Sequence, residues 1–281
     1  MSDALTIPTG PHASRGRVWL HALTEREGQG FGQSQSVLFA DAPLGDIDAR
    51  FIAVVPDPAN RFPRARQGEV GLEQGWALAN IVRQTIDAHR GGDERRGPIV
   101  AVVDVVGQAY GRREELMGIH LACAAAANAY AQARLAGHPV IALIVGHAMS
   151  GAFLAHGYQA NRIVALDAPD VLIHAMGQAA AARITRRTVE QLAELGNRIP
   201  PMSYDIRNYA KLGLLDSLIE GVDADAPDAA AVQQVRKVLA GTLDSIRQDG
   251  VRDLSARYRS KEAQTTRAAS IEVRKRLAEQ W

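Results

Sequence analysis

Short apolar runs alternate with stretches of helical periodicity through the middle of the chain. Turn residues such as glycine and proline bound the runs, which is typical of buried strands. The runs predict strands over 36–40, 50–55, 98–103, 140–145, 162–166 and 171–173. Apolar residues three and four positions apart predict helices over 69–89, about 113–135, 188–196, 205–212, 228–248 and 251–277. This alternation indicates an α/β fold with helices packed on a largely parallel sheet.

The same pattern divides the chain into three parts. Residues 1–35 are rich in Gly, Ser and His and show little periodicity, which predicts an irregular N-terminal arm. Residues 36–220 hold the alternating strands and helices of the main domain, and residues 221–281 form a helical C-terminal extension. Exposed apolar surface on this helical part is where we expect a partner protein to bind.

The stretch 140–157, VIALIVGHAMSGAFLAHG, carries the clearest chemistry. Its apolar run stops at Gly146, and a turn of small residues leads into an alanine-rich helix pattern. Small side chains at Ser150, Gly151 and Ala152 let a ligand approach the backbone closely. Unpaired N–H groups at the start of the helix favour negative charge there. The stretch therefore predicts an oxyanion hole.

A second strand-loop-helix unit places another glycine-punctuated loop at 104–111, about forty residues earlier. The loops that follow parallel neighbouring strands lie at the same end of a sheet. Amides of both loops are therefore expected to converge on one carbonyl oxygen. We predict that the amides of Gly107, Gln108 and Ala109 form one edge of this site, and those of Gly151 and Ala152 the other.

This pair of loops resembles the carboxyltransferase branch of the crotonase superfamily, whose members carry Asp-x-Pro-Gly-(Ala/Phe)-x-x-Gly and Gly-x-Gly-x-Ser-Gly-Gly-Ala loops. GHAMSGAFLAHGYQANRIVAL, IHAMG and PPMSYDIRNYAKLGLL are similar in particular to the gamma subunits of biotin-independent malonate decarboxylases. The similarity covers about residues 36–220 and implies a crotonase-like (ClpP/crotonase) spiral of strand-strand-helix units. Val106 replaces the proline of the first loop, and His147 stands where acyl-CoA carboxylases tend to have glutamate.

The resemblance also implies a reaction and its partners. With a beta subunit, such a chain decarboxylates malonyl-S-acyl carrier protein to acetyl-S-acyl carrier protein and CO2 through a thioester enolate. It implies a delta subunit, the acyl carrier protein, and an alpha transferase subunit. No cofactor is expected on this chain, because the carrier's CoA-like, phosphopantetheine-type group holds the substrate. Transfer of the carboxyl group to biotin stays open as an alternative.

Several side chains are candidates for roles in this chemistry. His147 is the first candidate to protonate the enolate, with His174 and His156 behind it, since histidine titrates near neutral pH. Arg66, in a loop with two further arginines, is a candidate ligand of a phosphate or of the malonyl carboxylate. Tyr110, Ser150 and His174 are candidates to line the substrate site. Packed or solvated side chains are the alternative for each of them.

Two other functions fit parts of the pattern. The turn around Ser150 is a relaxed nucleophile elbow, and Asp167 or Asp170 and then His174 follow in the order that α/β hydrolases use. Their spacing is too short for that fold, because its acid and histidine come from later strands. A catalytically silent crotonase-like scaffold subunit is the non-enzymatic alternative.

Composition narrows the class further. The net charge of +1 gives no general attraction to nucleic acid. The chain has neither an 18-residue apolar run nor a secretory signal pattern, so we expect a cytoplasmic protein without membrane contact. A single cysteine, Cys123, excludes an internal disulfide and a cysteine-based zinc site, and we predict no metal. The basic residues of 251–281 are interspersed with acids, which favours a solvated face, with docking of an acidic carrier as the alternative.

Overall fold

The computed structural model describes residues 14–89 and 96–281. The strands are β1 (Gln29–Phe31), β2 (Ser34–Leu44), β3 (Ile47–Val54), β4 (Ile99–Val105), β5 (Val140–Met149), β6 (Arg162–Leu166), β7 (Leu172–His174) and β8 (Ser217–Ile219). The helices are α1 (Arg15–Thr24), α2 (Leu72–Ala88), α3 (Arg112–Leu116), α4 (Ile119–Leu135), α5 (Ser150–Ala155), α6 (Gln178–Thr185), α7 (Val189–Arg198), α8 (Ile206–Lys211), α9 (Ala229–Asp249), α10 (Lys261–Thr266) and α11 (Ala268–Gln280).

One sheet organises these elements, with strand order β1-β2-β3-β4-β5-β6-β8 and with β7 paired to β5. The first three strands are antiparallel, and every pairing from β3 onward is parallel. All residues of β4 except Asp104 are buried, as are all of β5 except His147, as expected for parallel strands covered on both faces. The predicted α/β class is therefore confirmed.

The prediction of an irregular arm over 1–35 is wrong where the structure describes it, and residues 1–13 lie outside the described part. Residues 15–24 form α1, whose first turn is capped by the Ser14 side chain. Trp19 is fully buried, and its indole N–H donates to the Ala224 carbonyl at 2.9 Å. Because α1 buries residues on several sides, its sequence lacks the one-sided stripe that predicts a surface helix.

Several element boundaries also differ from the predictions. Strand β2 runs through the turn expected at 41–45, and the chain reverses only at Gly45 and Asp46. The long helix expected from 113 breaks at Gly118, which has a φ of +81°. The final basic helix is divided into a 3-10 turn at Ser255–Tyr258, α10 and α11. None of the helices in the described ranges has the length and apolar character needed to cross a bilayer.

Helix α9 lies on the same apolar core as the sheet. Val235 and Leu239 of α9 are fully buried in the cluster that includes the central strands. The proposed boundary between residues 220 and 221 stays a prediction. Helices α2 and α4 pack against each other, and α4 also contacts α5, which begins where β5 ends. The carboxyl ends of β4 and β5 therefore meet surrounding helices at one edge of the sheet.

Candidate functional site

Strand β5 passes directly into α5 at this edge. The strand does not stop at Gly146 as predicted, because His147, Ala148 and Met149 pair with β7. Ser150 has a φ of +59°, a left-handed conformation that turns the chain from strand to helix. The amides of Gly151 and Ala152 lie in the first helical turn, where N–H groups have no intrahelical acceptor.

The loop after β4 is fixed differently, through Val70. The Val70 amide donates to the Gly107 carbonyl at 3.0 Å, and the Ala109 amide donates to the Val70 carbonyl at 2.8 Å. The Ala109 amide is therefore engaged, contrary to its predicted role as a free donor. Among the described residues, the amides of Gly107 and Gln108 have no such partner. Gly107 has a φ of +153°, which favours glycine at this position.

The two strand-to-helix junctions meet, as their spacing predicts. Val105 at the end of β4 is in parallel register with Ala148 in β5. A Cβ atom on residue 151 would overlap Oε1 of Gln108, so the Gln108 side chain lies directly against Gly151. Gln108 and Gly151 line one cavity of about 430 Å³, together with Glu115, Ile119, His120, Cys123, Leu154 and Tyr158.

Asp104 connects both junctions to α1, a role that the sequence analysis did not assign. Its Oδ1 accepts a hydrogen bond from the His147 amide at 3.1 Å, and its Oδ2 accepts one from the Gly16 amide at 3.3 Å. A Cβ atom on residue 146 would overlap this carboxylate, which explains the glycine there. The signal in the sequence was a single acid at the end of an apolar strand.

His147 is placed apart from the amides that it was expected to serve. Its residue is half-buried in β5 beside Leu172 of β7. His147 lines neither the cavity shared by Gln108 and Gly151 nor the one that contains Ser150 and His174. The structure therefore brings Gln108 and Gly151 together and leaves His147 outside that group.

Ser150 and His174 share a second cavity, of about 440 Å³, which Gly151, Leu154 and Tyr158 line as they do the first one. The His174 ring stacks on Tyr204 with 4.0 Å between ring centroids. Its Nδ1 lies 3.1 Å from the Met176 carbonyl oxygen, and burial lowers the pKa of the imidazole. His174 is therefore neutral at neutral pH.

A serine-protease-like triad is not assembled around Ser150. The His174 Nδ1 faces the Met176 backbone rather than a carboxylate, and Asp167 is paired with Arg207 at 2.8 Å. Asp170, the other candidate acid, is exposed. The described geometry thus gives the hydrolase interpretation no acid to orient its histidine.

His156 is a buried structural residue rather than a proton donor. Its Nδ1 lies 2.9 Å from the Tyr130 hydroxyl, and its Nε2 lies 3.1 Å from the Val102 carbonyl oxygen. These partners fix one neutral tautomer, in which Nε2–H donates to Val102 and Tyr130 donates to Nδ1. Full burial lowers the pKa of His156 to about 4. The imidazole thus connects β4 and α4 to the end of α5.

Tyr110, in the loop after β4, and Arg66, in the 3-10 turn at Ala65–Gln67, lie away from both cavities. Tyr110 is 56% exposed, with the Arg64 guanidinium 5.5 Å from its ring. Arg66 is exposed, and its Nε donates to the Asn60 carbonyl at 2.7 Å. Neither residue lines the two cavities beside α5. Within the described ranges, no group of three or more His, Cys, Asp or Glu residues is arranged to hold a metal ion.

Comparison with known proteins gives close relatives. A Pseudomonas malonate decarboxylase hetero-tetramer in complex with coenzyme A contains a chain 52% identical to this one, with a TM-score of 0.90, covering 96% of this chain and 100% of that one. A Pseudomonas MdcD-MdcE hetero-dimer contains a chain 50% identical, with a TM-score of 0.87, covering 95% of this chain and 99% of that one.

A more distant relative is the malonyl-S-ACP:biotin-protein carboxyltransferase MADD of Malonomonas rubra. It is 39% identical over 186 residues, which span 65% of this chain and 63% of the relative. The fold also resembles that of transcarboxylase 12S, with a TM-score of 0.56 and 21% identity over 76% of this chain and 36% of that one, which confirms the expected crotonase-like fold. Residues 65–281 match the family model described as the malonate decarboxylase gamma subunit. The chain therefore belongs to the malonate decarboxylase gamma subunit family.

Proposed function

We propose that this chain, paired with a beta subunit, decarboxylates malonyl-S-acyl carrier protein to acetyl-S-acyl carrier protein and CO2. The observation that carries the proposal is the contact between Gln108 and Gly151, which joins the two amide-bearing junctions at one cavity. Family membership and the relatives that are malonate decarboxylases support it.

Decarboxylation develops negative charge on the thioester oxygen, and this charge determines which groups of the protein can assist the reaction. When the C–C bond to the carboxylate breaks, CO2 leaves and the electron pair moves onto the thioester oxygen as an enolate. Backbone amides already aimed at that oxygen lower the barrier, and the loss of one such donor costs roughly 3 kcal/mol in known cases. The amides of Gly107, Gln108, Gly151 and Ala152 are our candidates for this role. Ser150 contributes the backbone turn rather than a nucleophile.

The enolate carbon must then receive a proton. On this chain His174 fits better than His147, because His174 shares a cavity with Ser150 and Gly151. Burial lowers the pKa of its imidazole, which favours the neutral ring. Replacement of each histidine by glutamine separates them: loss of turnover in His147→Gln with His174→Gln unchanged would restore His147 to the role.

An apolar surface beside the site suits the beta subunit. Leu116, Met117 and Leu121 are each more than 60% exposed. They lie on α3, in the turn after it and on α4, next to the cavity that contains Gln108. Exposed apolar patches of this kind mark protein interfaces. We propose further an alpha transferase and a delta carrier whose phosphopantetheine-type group holds the substrate. Cys123 is a free thiol, which fits a cytoplasmic complex.

The direct test measures CO2 release from malonyl-S-carrier protein by this chain alone, by the beta subunit alone and by the co-expressed pair. We expect release from the pair only. No release from any preparation would contradict the proposal. The biotin-protein relative favours carboxyl transfer as a second function. Movement of a labelled malonyl carboxyl group onto an added biotinylated protein, without its release as CO2, would favour that function instead.

A further inference from the structure

The C-terminal segment concentrates positive charge that the site does not use. Residues 251–281 contain eight basic and four acidic residues, a net charge of +4, whereas the whole chain carries +1. Arg257 is buried, and Arg252 bonds to the Leu135 carbonyl. The basic residues of α11, Arg274, Lys275 and Arg276, are all exposed, and Arg276 is paired with Glu272 at 2.7 Å. With two acidic residues, α11 itself carries one of these net positive charges.

Helix α11 also presents an unpartnered apolar stripe. Val273, Leu277 and Trp281 are spaced by four residues and are 57%, 50% and 100% exposed. This spacing places them on one side of a helix. Arg267, just before α11, and Arg274 of α11 both lie over the ring of Tyr258 in the preceding 3-10 turn, at 4.9 and 4.5 Å. These contacts hold the first half of α11 to the rest of the C-terminal segment and leave the apolar stripe exposed.

We propose that α11 is the docking surface for the acidic carrier protein that brings the malonyl thioester. This inference rests on the proposed function. A carrier must arrive and leave in every turnover, which suits a small apolar contact with charged neighbours that speed association. A permanent subunit interface would instead be depleted of charge at its centre. The excess of positive charge on this segment therefore favours an acidic protein that binds transiently over a permanent subunit.

The position of α10 next to the second cavity supports this assignment. Thr266 of α10 donates to the Lys211 carbonyl of α8 at 3.2 Å, and Gly213 packs against Ser260 and Ala263. The neighbouring residues Leu212 and Leu214 line the cavity that also contains Ser150 and Gly151. No lysine or arginine lines that cavity, so it suits a neutral, amide-containing arm. The helix that precedes α11 therefore packs beside the residues that line this cavity.

The test compares two substrates in the co-expressed pair of this chain and the beta subunit. The variant combines Lys275→Glu with Trp281→Ala, and the matched control is Lys237→Glu, an equal charge change on exposed helix α9. We expect the variant to raise KM for malonyl-S-carrier protein about tenfold. KM for malonyl-CoA, which needs no docking, stays unchanged, and the control changes neither value.

A direct measurement of carrier binding tests the docking surface independently of catalysis. Fluorescence anisotropy with the unloaded carrier should show a Kd about tenfold weaker for the variant, and weaker binding to the native pair at higher salt. An unchanged Kd and KM, an equal rise of KM for both substrates, or binding of α11 to anionic lipid vesicles in place of the carrier would overturn the proposal. Absence of CO2 release from either substrate by the native pair would contradict the proposed function alone, since binding is measured separately.

Discussion

The two strand-to-helix junctions at the sheet edge expose backbone amides in different ways. After β5 the chain enters α5 at once, and a single left-handed residue, Ser150, frees the amides that follow. After β4 the chain forms an open loop that makes two hydrogen bonds to Val70. One of them uses the Ala109 amide, which is therefore not free to bind a ligand. The first junction is fixed by local backbone conformation, and the second by a contact from a distant part of the chain.

This difference between the junctions indicates which substitutions should disturb each of them. At the β5 junction, the Gln108 side chain occupies the space that a side chain at residue 151 would need. The β4 junction depends on the segment around Val70, and the buried His156 connects β4 and α4 to the end of α5. Substitutions at these points should therefore separate loss of the amide site from loss of its support.

Gly151→Val should have the largest effect on activity. The new side chain takes the place of the Gln108 carboxamide in the cavity that Gly151 lines, which blocks access to the candidate amides. We expect a roughly 100- to 1000-fold lower rate of CO2 release by the pair, comparable to the loss of an oxyanion donor. Gly241→Val is the control, because a Cβ there meets open space on α9. Full activity in Gly151→Val would favour the silent scaffold.

His156→Gln tests, through the pH dependence of stability, whether His156 is buried in its neutral form between β4, α4 and the end of α5. The pKa of His156 is lowered from 6.5 to about 4 in the fold, so the unfolded chain binds more protons between these values. Native stability therefore falls as the pH drops from 6.5 to 4, by roughly 3 kcal/mol from this group. Glutamine offers a donor and an acceptor of its own but does not titrate. Chemical denaturation across this range should give a shallower slope for the variant, and equal slopes would contradict the assignment.

Asp104→Asn tests the link between the β5 junction and α1. The asparagine amide nitrogen cannot accept a backbone N–H, so one of the bonds to Gly16 and His147 is lost. We expect about 2 kcal/mol lower stability, the usual value for a bond to a charged group. Urea denaturation measures this difference. Asp253→Asn, at an exposed turn, is the control and should change stability less.

Substitutions of Ser150 should have the smallest effect on turnover. Ser150→Ala removes the hydroxyl and keeps the turn, so we expect a rate of CO2 release within about twofold of the native value, since the hydroxyl donates to no reacting atom. Ser150→Gly should raise stability by about 1 kcal/mol, because glycine adopts a positive φ without strain. Labelling of Ser150 by a fluorophosphonate probe, together with inactivity of Ser150→Ala, would support the hydrolase interpretation instead.

Local sequence patterns predict much of the structure at this edge of the sheet. Contacts between residues far apart in the sequence explain the rest. Apolar runs located β4 and β5, and small residues located both junctions, because each depends on neighbours in sequence. The hydrogen bond of the Ala109 amide depends on Val70, some forty positions away, and no sequence pattern near Ala109 predicts it. Likewise the extension of β5 to Met149 depends on pairing with β7.

The contact between Trp19 and Ala224 has a consequence for how the chain is made. The two residues are 205 positions apart, and Arg15 and Asp225, which also bond, are 210 apart. At ribosomal rates the intervening segment takes about 10–40 s to synthesise. During that time the indole lacks its final acceptor, so α1 reaches its native hydrogen bonding only late in translation. The helix made first is thus among the elements completed last.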